Sequence, residues 1–157
     1  MVSRRAIAAL LGGLWMASNL TGAATAADTD LLKTAGGVTV YLGIVPAEIV
    51  KGLPSGSTTE RQMHGRVPKG SHEYHVVAAV FDAASGARVS DAVVTAEVSG
   101  LGLSGAQTKL EPMQISGTTT YGGFFNLLGF DLYTVKLIVE RSGASPAALQ
   151  FKYDHRR

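Results

Sequence analysis

Three short stretches carry the side chains able to do chemistry: Met63-His64, His72-Glu73-Tyr74-His75 and Glu111-Pro112-Met113. They occur in a chain with four histidines, four methionines and no cysteine. Imidazole nitrogen suits Cu(II) and thioether sulfur suits Cu(I), so a His/Met set without thiolate is the donor chemistry of a copper site in an oxidising compartment. Three of the four histidines fall between residues 64 and 75. His64, His75 and Met113 are the expected core ligands, with Met63 and His72 as secondary ones. Zinc could use the imidazoles alone, but a thioether is a poor zinc ligand. Metal-ligand bonds are about 2 Å long, so donors more than about 8 Å apart could not share an ion. Imidazole binds only when neutral, so affinity should fall at acid pH.

Other chemistries find little support. The chain has no HExxH helix, G-x-S-x-G elbow, P-loop or dinucleotide fingerprint, and its glycine-rich stretches fall between strands. The absence of cysteine removes thiol catalysis, iron-sulfur clusters and cysteine-zinc sites. No enzyme is expected. The metal reading is one of capture and hand-over to a metal-receiving protein. The alternative is a metal-free envelope interaction module that offers an edge strand or its long loop to a protein partner.

Residues 1–27 read as an export signal: Arg4-Arg5, an apolar run from Ala6 to Met16, then Ala24-Thr25-Ala26 before the expected cleavage. The run is too short for an ordinary membrane span, so no stable span is expected after cleavage. Ser3-Arg4-Arg5 is compatible with twin-arginine export but matches little more of that motif. The destination is periplasmic or secreted. Of 14 basic and 12 acidic residues, Arg4 and Arg5 are the only charges in this stretch, so the remainder balances at zero. The basic pI belongs to the signal, and nucleic-acid binding loses its electrostatic support.

The elements that must position the donors are strands. Val38, Val40, Leu42 and Ile44 alternate with Thr39, Tyr41 and Gly43, and Pro46 ends that run before one turn of helix at Ala47–Lys51. His75 to Phe81 is almost wholly apolar and stops at a hairpin loop, Asp82-Ala83-Ala84-Ser85-Gly86. Ala92 to Val98 alternates cleanly. Lys109 to Ile115 is a weaker strand, and Thr118 to Leu128 is another, with a bend or bulge expected at Gly122-Gly123. Leu132 to Glu140 points Tyr133, Val135, Leu137 and Val139 inward, and a last strand does the same with Leu149, Phe151 and Tyr153.

About seven strands in residues 28–157 predict a single all-β domain, an antiparallel immunoglobulin-like β-sandwich. One long loop, Gly52 to Ser71, carries Met63 and His64. By parity, His75 joins Val77, Ala79 and Phe81 on a core-facing row and His72 falls on the other side. His155 continues the inward row of the last strand, at a terminus where fraying is common.

The segments Asp82-Ala-Ala-Ser-Gly86-Ala-Arg-Val89-Ser-Asp-Ala92-Val-Val94 and Leu132-Tyr133-Thr-Val-Lys-Leu-Ile-Val139 resemble small exported immunoglobulin-like domains of the YtkA-like and CopC-like kind. Met63-His64-Gly65, His72-Glu-Tyr-His75-Val, Leu110-Glu-Pro-Met113 and Thr120-Tyr121-Gly122 are also similar to a group of bacterial exported proteins. The resemblance spans roughly residues 38–155 and implies a sandwich fold and periplasmic metal handling. The chain lacks the histidine that CopC-like proteins carry close behind the cleavage site.

Overall fold

The computed structural model describes residues 31–51, 72–102, 104–129 and 131–155. Eight antiparallel strands and one helical turn follow in the order β1 (Leu32–Ala35), β2 (Val38–Pro46), α1 (Ala47–Lys51), β3 (Glu73–Asp82), β4 (Val93–Ser99), β5 (Ala106–Ile115), β6 (Thr118–Asn126), β7 (Leu132–Glu140) and β8 (Ala147–Asp154). The all-β antiparallel architecture, the helical turn after Pro46 and the inward rows of β4, β7 and β8 agree with the sequence pattern. The eighth strand is β1, four residues whose half-buried positions leave no alternating signature.

Neighbouring strands run β1-β2-β3-β6-β5-β4-β7-β8. β5 turns the corner between the two layers: its first half, from Ala106 to Leu110, pairs with β4, and its second half, from Glu111 to Ile115, pairs with β6. At the far side Gly36, just past β1, packs so tightly on Ala147 of β8 that a Cβ there would lie 2.5 Å from the alanine Cβ. The sandwich is therefore nearly closed into a barrel. The core between the layers combines Val38, Val40 and Leu42 of β2, Val76, Ala78 and Val80 of β3, and Tyr121 and Phe125 of β6 with Val94 and Ala96 of β4, Val135 and Leu137 of β7, and Phe151 of β8. Each such large apolar side chain contributes about 1.5 to 3 kcal/mol by leaving water.

The loop after β3 is a hairpin as expected, with Gly86 at φ 70°. Its returning arm pairs only briefly with β3, through the Phe81–Arg88 bridge and the Val89 N–H to Val80 carbonyl bond. The chain then crosses to the other layer, so β4 does not neighbour β3. Tyr121 pins the crossing: its hydroxyl accepts from Ala92 N–H at 3.0 Å and donates to the Val89 carbonyl at 3.2 Å. Burial pushes its phenol pKa up.

Asp82 organises the hairpin. One carboxylate oxygen accepts from the backbone N–H of Ala84 and from both the N–H and hydroxyl of Ser85, and the other accepts from Arg141 at 3.0 Å. The Ser85 backbone and hydroxyl bonds, then the arginine, hold the carboxyl pKa at about 2.

Candidate metal centre

β2, β3, β6 and the second half of β5 form one layer, and its outer surface carries the donors. Here the parity reading is corrected. Val76, Ala78 and Val80 face the core, so His75 belongs to the opposite row with Val77, Ala79 and Phe81. The run is apolar on both faces, and such a strand gives no parity signal of its own. His75 is nonetheless buried, 2% exposed. In register it lies between Val45 of β2 and Phe124 of β6, and its ring stacks on Phe124 at 4.7 Å between centroids.

Met113 reaches the same place from β5. Its register partner is Thr120, on the same face of β6 as Gly122 and Phe124, and the thioether is 3% exposed against Val45 and Val77. The two donors converge over Gly122. A Cβ built on that glycine would stand 2.6 Å from His75 Nε2 and 2.9 Å from Met113 Sδ. Those distances bound the separation of nitrogen and sulfur well below the ~8 Å limit for a shared ion. β6 runs through Gly122-Gly123 in regular register, without a bulge. Gly122 serves as a notch that leaves room between an imidazole and a thioether.

A neutral imidazole and a thioether are a borderline and a soft donor, and this set fits copper better than zinc, magnesium or calcium. Among the described residues no group of three or more His, Cys, Asp or Glu side chains could hold a metal ion. The convergent pair is one nitrogen and one sulfur. The exposed Glu111, opposite Gly122 in register, is the nearest acid along β5.

The remaining sequence candidates divide. Met63 and His64 lie outside the described residues, as do the expected signal peptide and the long loop. His72 occupies the turn before β3 with its side chain exposed, and its backbone carbonyl accepts from Leu127 N–H. His155 is buried rather than frayed, 8% exposed, with both ring nitrogens in hydrogen bonds. Sequence reasoning missed Gly122 and Phe124. The signal available was a Gly-Gly pair within an aromatic strand, where packing normally disfavours glycine.

The fold and this outer-face cluster define a small antiparallel β-sandwich with a candidate soft-metal pair on one sheet. Proteins of that fold have been solved. The chain is similar to a copper-bound variant of FetP from uropathogenic Escherichia coli strain F11, at 12% identity and TM-score 0.57, over 79% of this chain and 93% of that one. Copper-reconstituted P19 from Campylobacter jejuni is similar at 11% identity and TM-score 0.56, over 79% and 92%. A DUF4426 family protein from Pseudomonas aeruginosa PAO1 is similar at 14% identity and TM-score 0.54, over 78% and 94%. At such identities the likeness is one of fold. No family model and no curated protein matches the sequence.

Proposed function

We propose that this protein is an exported copper-binding protein, a carrier or buffer that holds the ion at His75 and Met113. The observation that carries the reading is the convergence of His75 Nε2 and Met113 Sδ on the notch above Gly122. The copper-bound and copper-reconstituted states of fold neighbours support it, as does the resemblance to exported metal-handling domains. Met63, His64 and His72 are the further donors this reading assigns. Its role is capture and release to a metal-receiving protein in the periplasm or outside the cell, with no turnover. No helix of the described residues is long and apolar enough to cross a membrane.

The experiment is copper titration followed by thermal unfolding of the mature protein, with Cu(I) under anaerobic conditions and with Cu(II). Ligand that binds only the folded state stabilises it by about 2.7 kcal/mol at one hundred times its Kd. Wild-type protein should show the rise, while His75→Phe, which keeps a ring against Phe124, and Met113→Leu should lose it. An equal rise in both variants would overturn the assignment of these ligands. No rise in the wild type would favour the metal-free interaction module.

A further inference from the structure

The donors that meet over Gly122 offer an incoming ion no negative charge. A ligating imidazole is neutral and so is a thioether. Both side chains are almost sealed from water, His75 at 2% and Met113 at 3% exposed. Val45 and Val77 pack on the thioether, and the Phe124 ring stacks on the imidazole. The charge that reaches this face from the hairpin after β3 is positive. Arg88 Nη2 donates to Thr120 Oγ1 at 3.4 Å, and Thr120 is the register partner of Met113. Glu111, the acid that stands opposite Gly122, is exposed, where water screens its carboxylate.

The two oxidation states of copper fare differently in such surroundings. The cost of taking an ion out of water rises with the square of its charge, so a dication is penalised about four times as heavily as a monocation of equal radius. Repulsion from the Arg88 guanidinium is about twice as large for the dication at the same distance. Coordination points the same way. Cu(II) prefers a tetragonal set of nitrogen and oxygen donors, whereas a thioether selects Cu(I), whose filled d shell is satisfied by few ligands. Among the described residues no group of three His, Cys, Asp or Glu side chains could complete a Cu(II) set.

We propose that the notch selects Cu(I) over Cu(II), so that the cargo of this protein is the reduced ion. The inference rests on the copper reading of His75 and Met113 and adds the oxidation state to it. The buried pair sets the preference by itself, through its neutral donors, its apolar walls and the cation beyond Thr120. Binding the reduced ion more tightly also raises the reduction potential of the bound copper, which protects it from air. A protein that receives this cargo must itself offer soft sulfur donors, thioether or thiolate, because a site of oxygen ligands would not draw Cu(I) away.

The test measures both affinities on the mature protein, with Cu(I) under nitrogen against bathocuproine disulfonate and Cu(II) in air against glycine. Wild type should hold Cu(I) at least a hundredfold more tightly than Cu(II). Met113→Leu should lower that ratio at least tenfold. Met113→His, which turns the pair into two imidazoles, should lower it as far by weakening Cu(I) and strengthening Cu(II). X-ray absorption of wild type loaded with Cu(I) needs no variant and should show sulfur as well as nitrogen bound to the copper. A ratio near one in the wild type, with both affinities lost in His75→Phe, would overturn the selection while copper binding at the notch stands. Copper surrounded by nitrogen and oxygen alone would overturn it too, and failure of both ions to bind would remove the copper reading with it.

Discussion

Gly122→Ala tests the metal centre where its geometry is tightest. The new Cβ would stand 2.6 Å from His75 Nε2 and 2.9 Å from Met113 Sδ, closer than nonbonded atoms settle, so one or both side chains must swing away. Overpacking of this kind costs about 1 to 3 kcal/mol. For a domain this size about 4 °C of melting temperature accompanies each kcal/mol, so the metal-free variant should melt roughly 4 to 12 °C lower. Its copper-induced rise should vanish, since the donors no longer face one point. Gly123→Ala is the matched control: its Cβ would meet Leu110 at 2.9 Å on the core side, a similar steric cost on the other face. Differential scanning fluorimetry with and without Cu(I) reads all four conditions. If Gly122→Ala keeps the copper rise, or if Gly123→Ala loses it while folded, the notch does not position the donors.

Asp82 should make its contribution to stability visible only above acid pH. Its folded pKa is about 2 against 3.8 for the free side chain, so its stabilisation is complete above the higher value and disappears as pH falls through the lower. The gap in urea midpoint between wild type and Asp82→Asn should therefore shrink between pH 4 and pH 2, and a constant gap would contradict the sign. Tyr121→Phe strips the bonds to Ala92 N–H and the Val89 carbonyl. Leaving these groups without their partner should cost about 1 to 3 kcal/mol in chemical denaturation. Phe151→Ala, in the fully buried centre of β8, should cost about 3 to 5 kcal/mol and serves as the upper reference in the same assay.

The sandwich was legible wherever one face of a strand is wet. β4, β7 and β8 alternate apolar and polar residues, and their inward rows fall where period two puts them. β3 was legible as a strand but not in its facing, because Val77 and Ala79 on the outer side are apolar and half-buried, with His75 buried beside them. The candidate site was legible in composition and only half in place. His75 and Met113 are separated by more than thirty residues of chain, and what joins them is the register of β3, β6 and β5, which no local pattern encodes. Gly122 looked like a structural weakness, yet its meaning depends on two side chains from other strands. His155 looked frayed because a terminal position carries no sign of the Tyr74 hydroxyl that waits for it.

β5 pairs on one side with β4 and on the other with β6, so the two layers cannot separate without breaking it. Native-state hydrogen exchange should therefore place the ladder amides of β5 in the last unit to open. Met113 rides on that strand. With its backbone held in that ladder, the motion open to Met113 at the notch is rotation of the thioether about its own side-chain bonds. Methionine, with three rotatable bonds and little steric demand, is the apolar side chain best suited to that task.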